Sequence, residues 1–427
     1  VEERRRAGTA PLGLGARLAT GMVLLALVMV SVNLRPTITT VVGVMNQVPG
    51  VFGLDPALLP LLGTLPVLAF GVSGPIGPWL ARRFGTGRAV ALALVVLALA
   101  LVVRVLVPVL LLPGTFLAGM SIMTASVLVP QIVKANHGTG WWTGLCTMGF
   151  GLGAALGAGL VQPLQHVLGG SLPWALAVWA VPALIGAILI HRSGGAAADA
   201  ATSSPTGDAS STIVGRRPAE PLRKQRTAWA VTAFFGLQAM LYFAITSWLA
   251  VYLVSRGIAA AESAALLAWF SLAGLPASLL APVLAGRPGV LKILAPGLGL
   301  SVALALLGVL AAPSELQFLM VGILGVVQSA GFGLAMALVV IRSDGPQSAG
   351  RLSAMSQGFG FALASLGPLG AGLLHTMTGG WDVTFWVLAL EAVVLAGAGF
   401  FAIRGPLVSV EQAPAPVEPG TEATLVG

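Results

Sequence analysis

Three charged side chains stand inside long apolar stretches of this sequence: Arg35, Arg104 and Glu391. At the centre of a bilayer each such charge costs at least ~2.5–3.5 kcal/mol, so it persists where it has a partner or a task. Pro36 directly follows Arg35. Proline lacks an N–H and disrupts the helix, which leaves the Val32 carbonyl free. Irregular backbone at that depth is tolerated only where it is buried in protein or lines a cavity. Ser31 and Thr39 lie four residues to either side of Arg35 and share its helix face. A buried guanidinium among hydroxyls suits a carboxylate or another small planar anion. The bland alternative is a structural arginine bonded to helix carbonyls or snorkelling outward. Arg104 lies near the end of its stretch and can snorkel to water; it is a second candidate charge for a ligand. Glu391 is the one carboxylate in the interior of an apolar stretch. It is a candidate proton carrier, or else a neutral group hydrogen-bonded to a neighbouring helix.

Uncharged polar residues extend this set. Phe235, Gln238, Tyr242 and Leu249 follow helical spacing on one face. An amide beside a phenol can hydrogen-bond a solute, and Gln328 and Gln357 are further candidates. The competing role is an interhelical hydrogen bond, worth about 0.6 kcal/mol on average. Gln131, Trp141, Trp142 and His375 fall near the ends of their stretches, where solvated or interfacial roles are expected. Gly149, Gly153 and Gly157 recur every four residues, as do Gly151 and Ala155, and small residues at that spacing let helices approach closely. They suit a sliding surface between two halves of the molecule. The single cysteine, Cys146, and four scattered histidines make no metal-binding pattern. No Gly-rich loop precedes a Lys-Ser/Thr pair, and no nucleophile–base pair stands within the apolar stretches. Neither an enzyme nor a cofactor is expected.

The elements that carry these residues follow from composition. Residues of the AVILMFWYC set make up 57% of the 427 residues and charged residues only 8%. A soluble domain carries about 25% charged residues, so lipid must be the solvent for most of this chain. The fold class expected is an all-α integral membrane protein. Runs of about 20 apolar residues, enough to cross a ~30 Å core, fall at 18–45, 57–80, 88–108, 112–133, 141–165, 172–191, 227–253, 263–285, 289–311, 316–341, 352–376 and 382–403. They are spans 1 to 12 below. With the first segment cytoplasmic, nineteen of the 22 basic residues fall on the cytoplasmic side and only Arg256 on the other; Arg35 and Arg104 lie within spans. That asymmetry supports an even number of spans with both ends inside. It also accounts for the net charge of +8 without a nucleic-acid partner.

Residues 193–226, rich in Gly, Ala, Ser and Thr before a basic cluster, read as a cytoplasmic linker between helix bundles at 1–192 and 227–404. Residues 405–427 read as a disordered tail. The bundles echo one another. Pro78-Trp79-Leu80-Ala81-Arg82-Arg83 corresponds to Pro282-Val283-Leu284-Ala285-Gly286-Arg287. Gly149-Phe150-Gly151-Leu152-Gly153 corresponds to Gly358-Phe359-Gly360-Phe361-Ala362. Both offsets are about half the chain, the mark of a parallel six-helix repeat.

This organisation resembles the major facilitator superfamily. Its loop motif after span 2 corresponds here to Pro78 through Gly85, with Arg82, Arg83 and Gly85, then Arg88, as the conformational elements, and Arg287 as the counterpart after span 8. Pro78 replaces the motif's first Gly, and Arg82 stands where an Asp is usual, which removes the carboxylate of its charge relay. Asn33-Leu34-Arg35-Pro36, Leu65-Pro66-Val67, Arg104, Leu128-Val129-Pro130-Gln131, Thr143-Gly144-Leu145, Phe234-Phe235-Gly236-Leu237-Gln238, Tyr242, Trp248 and Gly367-Pro368 resemble the branch of cyanate and 2-nitroimidazole permeases. The resemblance implies two pseudo-symmetric six-helix bundles, with spans 1, 4, 7 and 10 around a central cavity and spans 3 and 12 peripheral. It implies a monomer in the lipid bilayer that moves a small polar or anionic solute by alternating access, with or without a co-transported proton. A multidrug or specialised-metabolite exporter has the same fold; a membrane enzyme, channel or receptor fits less well.

The charge pattern makes a direct topological prediction. In a Cys146→Ser background, a cysteine introduced at Thr206 should react with a membrane-impermeant maleimide only once the inner face is exposed. One introduced at Ser314 should react in intact cells. The opposite labelling would invert the map.

Overall fold

The computed structural model describes residues 14–44, 47–55, 58–193 and 221–410. The expected linker therefore lies mostly outside the described residues, as do the expected N-terminal basic segment and the tail from 411. The described chain is helical, with one isolated bridge between Ser343 and Val408. Among the described residues, ten helices are long and apolar enough to cross a membrane. An eleventh, span 5 (Gly140–Val167), passes as two rods bent by 48°. Leu59–Ser73 and Ile76–Phe84, parted at Gly74-Pro75, together occupy the remaining expected position, span 2.

Span 1 is broken where proline chemistry requires. Helix Leu14–Asn33 ends, Leu34 and Arg35 form a turn, and Pro36–Gly43 restarts the helix with proline at its first position. The hydroxyls of Ser31, Thr39 and Thr40 donate to the carbonyls of Leu27 (2.8 Å), Arg35 (3.3 Å) and Pro36 (2.5 Å). Buried Asn33 donates to Met29 O at 2.7 Å and to Pro182 O of span 6 at 3.1 Å, which ties the break to its own bundle.

The glycines of span 5 seat this break. A Cβ on Gly153 would lie 2.0 Å from Val32 O, the carbonyl freed by Pro36, and one on Gly157 would lie 2.6 Å from Pro36 Cα. A Cβ on Gly149 would lie 3.2 Å from Ser31 Cβ. The stripe expected to slide between the halves is thus packed mainly inside one half. The contact between halves uses another face of span 5: Gly140 on Pro282, Gly144 on Leu279 and Gly151 on Leu275, all in span 8.

Arg256, the lone basic residue on the expected outer side, has a structural role. Its guanidinium donates to the Tyr252 hydroxyl (2.9 Å) and to Leu310 O (2.8 Å) and Ala312 O (3.3 Å), capping the last carbonyls of span 9, Pro288–Ala311. At the opposite side, residues 405–410, expected in the disordered tail, form a strap. Val408 is fully buried, donates to Arg342 O at 2.7 Å and accepts from Asp344 N–H at 3.0 Å. The Arg342 guanidinium donates to the Gly405 and Pro406 carbonyls, and Gln225 exchanges hydrogen bonds with the Ser409 backbone.

Overfilling the seat of the break should destabilise the fold. Gly153→Ala forces the added methyl against a backbone oxygen, and overpacking of this kind costs ~1–3 kcal/mol. Thermal unfolding in detergent should fall by several degrees for Gly153→Ala and stay unchanged for Gly397→Ala, where a Cβ meets nothing within 4 Å.

Candidate functional site

Arg35 lines a small cavity between the two halves of the molecule. Spans 1, 2, 4 and 5 supply Leu34, Arg35, Phe70, Ile122, Met123, Ser126 and Phe150; spans 10 and 11 supply Phe332, Gln357 and Phe361. The guanidinium is half-buried and lies 5.9 Å from the centroid of the Phe150 ring. Among the described residues it has no hydrogen-bonding acceptor and no carboxylate. Tyr242 of span 7 lies within its electrostatic range. The turn at Leu34-Arg35 explains the placement, because the broken helix turns this side chain toward the space between the halves.

Aromatic rings make up much of the wall. Phe70 meets Phe361 across the halves at 5.1 Å between centroids, and Phe150 meets Phe332 edge-on at 6.1 Å. Phe235 backs both walls, 6.3 Å from Phe332 and 5.4 Å from Phe361. Gln357 adds an amide: its Oε1 accepts from Ser126 Oγ at 2.7 Å, and its Nε2 donates to Ser353 Oγ at 2.8 Å.

Arg104 contrasts with Arg35. It does not snorkel: it is 0% exposed and donates to Thr115 Oγ1 (3.3 Å) and Thr37 O (3.4 Å). Gly114 leaves room for it, since a Cβ there would lie 2.6 Å from Arg104 Cβ. Arg104 therefore holds the restarted half of span 1, two residues beyond Arg35.

The other expected residues divide in two. Arg35 and Gln357 share the cavity, with Tyr242 nearby. Gln238 and Gln328 instead pair with each other: each amide donates to the other's backbone carbonyl, at 2.8 and 3.3 Å, joining spans 7 and 10. Ser31 and Thr39 spend their hydroxyl protons on helix carbonyls. Glu391 is absent from the cavity wall, and its Oε1 is buried without a hydrogen bond. Its helix packs tightly on span 9, where a Cβ on Gly299 would lie 2.4 Å from the Ala396 backbone. Gly85 takes φ 87° between spans 2 and 3. Exposed Arg83 lies over Trp79 and Phe84, and Arg82 lies within electrostatic range of a like charge, Arg351, just before span 11. Arg88 and Arg287 are exposed. The phenylalanines of the wall were not anticipated. Two of them, Phe150 and Phe361, stand in the echoing glycine runs, yet Phe359, the counterpart of Phe150, is 58% exposed. The echo marks the helices but not the face.

The hydrogen bonds and glycine contacts joining the halves gather on the side that carries Ser193 and Arg226, here the linker side. Lys134 donates to Val340 O at 3.1 Å, Thr147 donates to Ser278 O at 2.7 Å, and a Cβ on Gly74 would lie 3.2 Å from Gly358 Cα. The cavity thus stands above a seal on that side.

The family model of the Major Facilitator Superfamily matches residues 10–361. The chain belongs to the major facilitator superfamily. It is 30% identical over 392 residues to the uncharacterized transporter YycB of Bacillus subtilis, covering 90% of this chain and 92% of that one. It is 29% identical to the cyanate transport protein CynX of Escherichia coli (91% and 100% covered) and 28% identical to the 2-nitroimidazole transporter of that organism (88% and 94%). The proton:xylose symporter XylE, at 12% identity, superposes with a TM-score of 0.68 over 92% of this chain and 98% of its own. The all-α superfamily fold is therefore established, in the cyanate and nitroimidazole transporter branch. The chain is a multi-pass membrane transporter whose partners are the bilayer and a small solute.

The two arginines should separate on mutation. Arg104→Ala empties a fully buried site and removes the donor to Thr115 and Thr37, so it should lower the thermal unfolding temperature by several degrees. It should leave solute affinity within about threefold, because Arg104 is absent from the cavity wall. A loss of affinity with unchanged stability would reverse that assignment.

Proposed function

We propose that this chain is a secondary active transporter that moves a small, flat, anionic or strongly polar solute across the cytoplasmic membrane by alternating access. Cyanate-like ions, nitroaromatics and small carboxylates are the classes in view. One observation carries this reading: a guanidinium with no protein acceptor among the described residues lines a cavity between the halves. Arginine presents planar paired donors that match carboxylate and nitro oxygens. The phenylalanines add flat apolar surface for a π-system, and the two relatives named for a solute carry cyanate and 2-nitroimidazole, both small and flat.

In this proposal Arg35 and Gln357 contact the solute, and Tyr242 closes over it from span 7. Ser31, Thr39, Gln238 and Gln328 fix the backbone around it. The halves rock about the cavity, with spans 5 and 8 and the basic loop residues Arg82, Arg83, Arg88 and Arg287 forming the linker-side contact region. Both ends of the chain lie at the cytoplasm, following the basic-residue asymmetry. Glu391 lies apart from the cavity, so a co-transported proton would travel on the solute rather than on this carboxyl. The aromatic wall favours a nitroaromatic or aromatic carboxylate over a sugar-like solute; the same wall would serve an exporter of aromatic drugs.

Binding to purified protein tests the proposal. Cyanate, benzoate and 2-nitroimidazole should be screened by thermal shift, and the best ligand titrated. Hydrogen bonds to a charged group are worth about 1.5–3 kcal/mol, so Arg35→Ala should weaken binding by about tenfold or more. Arg35→Lys, which keeps charge but loses the fork, should fall between. Equal affinity in Arg35→Ala and the parent protein would overturn the site.

A further inference from the structure

Resting on the reading just given, we infer that this transporter is an anion exchanger: the transported anion is the counter-ion that lets the cavity around Arg35 close, so the loaded carrier reorients and the empty one does so slowly.

The inference begins with charge. A guanidinium is not deprotonated in proteins, so Arg35 brings a permanent positive charge to the cavity. Among the described residues no anion meets it. Of 14 acidic residues in the whole sequence, Glu391 alone lies in the interior of an apolar span. It stands on span 12 and is absent from the cavity wall. The elements packed around Arg35 present phenylalanines, apolar side chains, Ser126, Gln357 and the phenol of Tyr242. Ser126 and Gln357 are already bonded to each other. The Phe150 ring, 5.9 Å away, gives weak attraction and no hydrogen-bond acceptor.

Alternating access carries this site through a state closed from both sides. Water compensates the guanidinium while the cavity is open. Closure removes that water, and an unpaired buried charge is strongly unfavourable, whereas a paired one is compensated. A bound anion therefore lowers the barrier to reorientation. Arg104 shows how the same fold treats an arginine that stays buried: Thr115 and Thr37 accept from its two terminal nitrogens, and only its Nε is without an acceptor among the described residues. Arg35 has no such provision among the described residues, so the transported solute must supply it on every passage. With a monovalent anion the loaded site is neutral, and one anion leaves for each that enters.

The test compares exchange with net flux in proteoliposomes holding the full chain. Vesicles are loaded with radiolabelled cyanate, or with radiolabelled benzoate if cyanate shows no saturable uptake. They are then diluted into buffer with or without the same unlabelled anion. A barrier difference of 1.4 kcal/mol is tenfold in rate, and efflux should be at least about tenfold faster with the external anion present. In Arg35→Gln the ratio should fall toward one, because the empty site is no longer charged, even where absolute rates drop. Saturable transport whose net efflux is as fast as exchange would overturn exchange and leave the proposed solute site standing. So would uptake driven by a pH gradient into anion-free vesicles at the exchange rate. No saturable uptake of either anion, or unaltered binding in Arg35→Ala, would overturn the solute site and exchange together.

Discussion

An unpaired charge in a low-dielectric interior is the constraint around which this molecule is arranged. The spans hold very few ionisable side chains, and the two arginines among them meet the constraint in opposite ways. Arg104 is enclosed, and its guanidinium reaches a hydroxyl and a carbonyl on two other helices. Arg35 is half-buried beside a cavity, 5.9 Å from the centroid of the Phe150 ring. The two are connected, since the carbonyl that Arg104 grips belongs to Thr37, in the short helix that begins just after Arg35. The cation that has acceptors thus bonds to the same interrupted span that carries the one that has none among the described residues.

The break at Arg35-Pro36 needs support of its own, because a broken helix leaves backbone groups without partners. Asn33 ties it to span 6, and the glycines of span 5 let that helix close on the freed Val32 carbonyl. These contacts lie within one six-helix bundle, so the bundle can move as a body without disturbing the break. The contacts between bundles are of another kind: small-residue approaches of spans 5 and 8 and a few hydrogen bonds, concentrated toward the linker side. A surface of that kind can separate without exposing buried charge, which suits halves that must part and meet repeatedly. The strap at 405–410 reaches the loop between spans 10 and 11 beside Val340, where Lys134 docks, so the end of the last helix is joined to the same seal.

Much of this was legible in the sequence, and the limits are physical. Hydropathy and the basic-residue asymmetry gave the spans, since lipid imposes a length and composition that soluble packing does not. Arg35 and the interruption at Pro36 were legible because a charge and a missing N–H each carry a known penalty at depth. Pairing across helices was not: Gln238 and Gln328 read as two solute contacts, yet 90 residues apart they face one another and exchange hydrogen bonds. Arg104 has the reach to snorkel, and its inward turn depends on the space left by Gly114 on another helix. The glycine stripe of span 5 announced a close approach but not whether span 1 or span 8 was approaching. The phenylalanines of the cavity are indistinguishable by composition from those facing lipid, as Phe150 and Phe359 illustrate.

An experimental structure with the solute bound would test the central claim most directly. An anionic or nitro oxygen should sit within hydrogen-bonding distance of the Arg35 guanidinium, at about 2.7–3.2 Å, with the flat body of the solute against the phenylalanines of the two halves. Solute bound elsewhere, with Arg35 turned onto a protein carbonyl or a lipid phosphate, would contradict it.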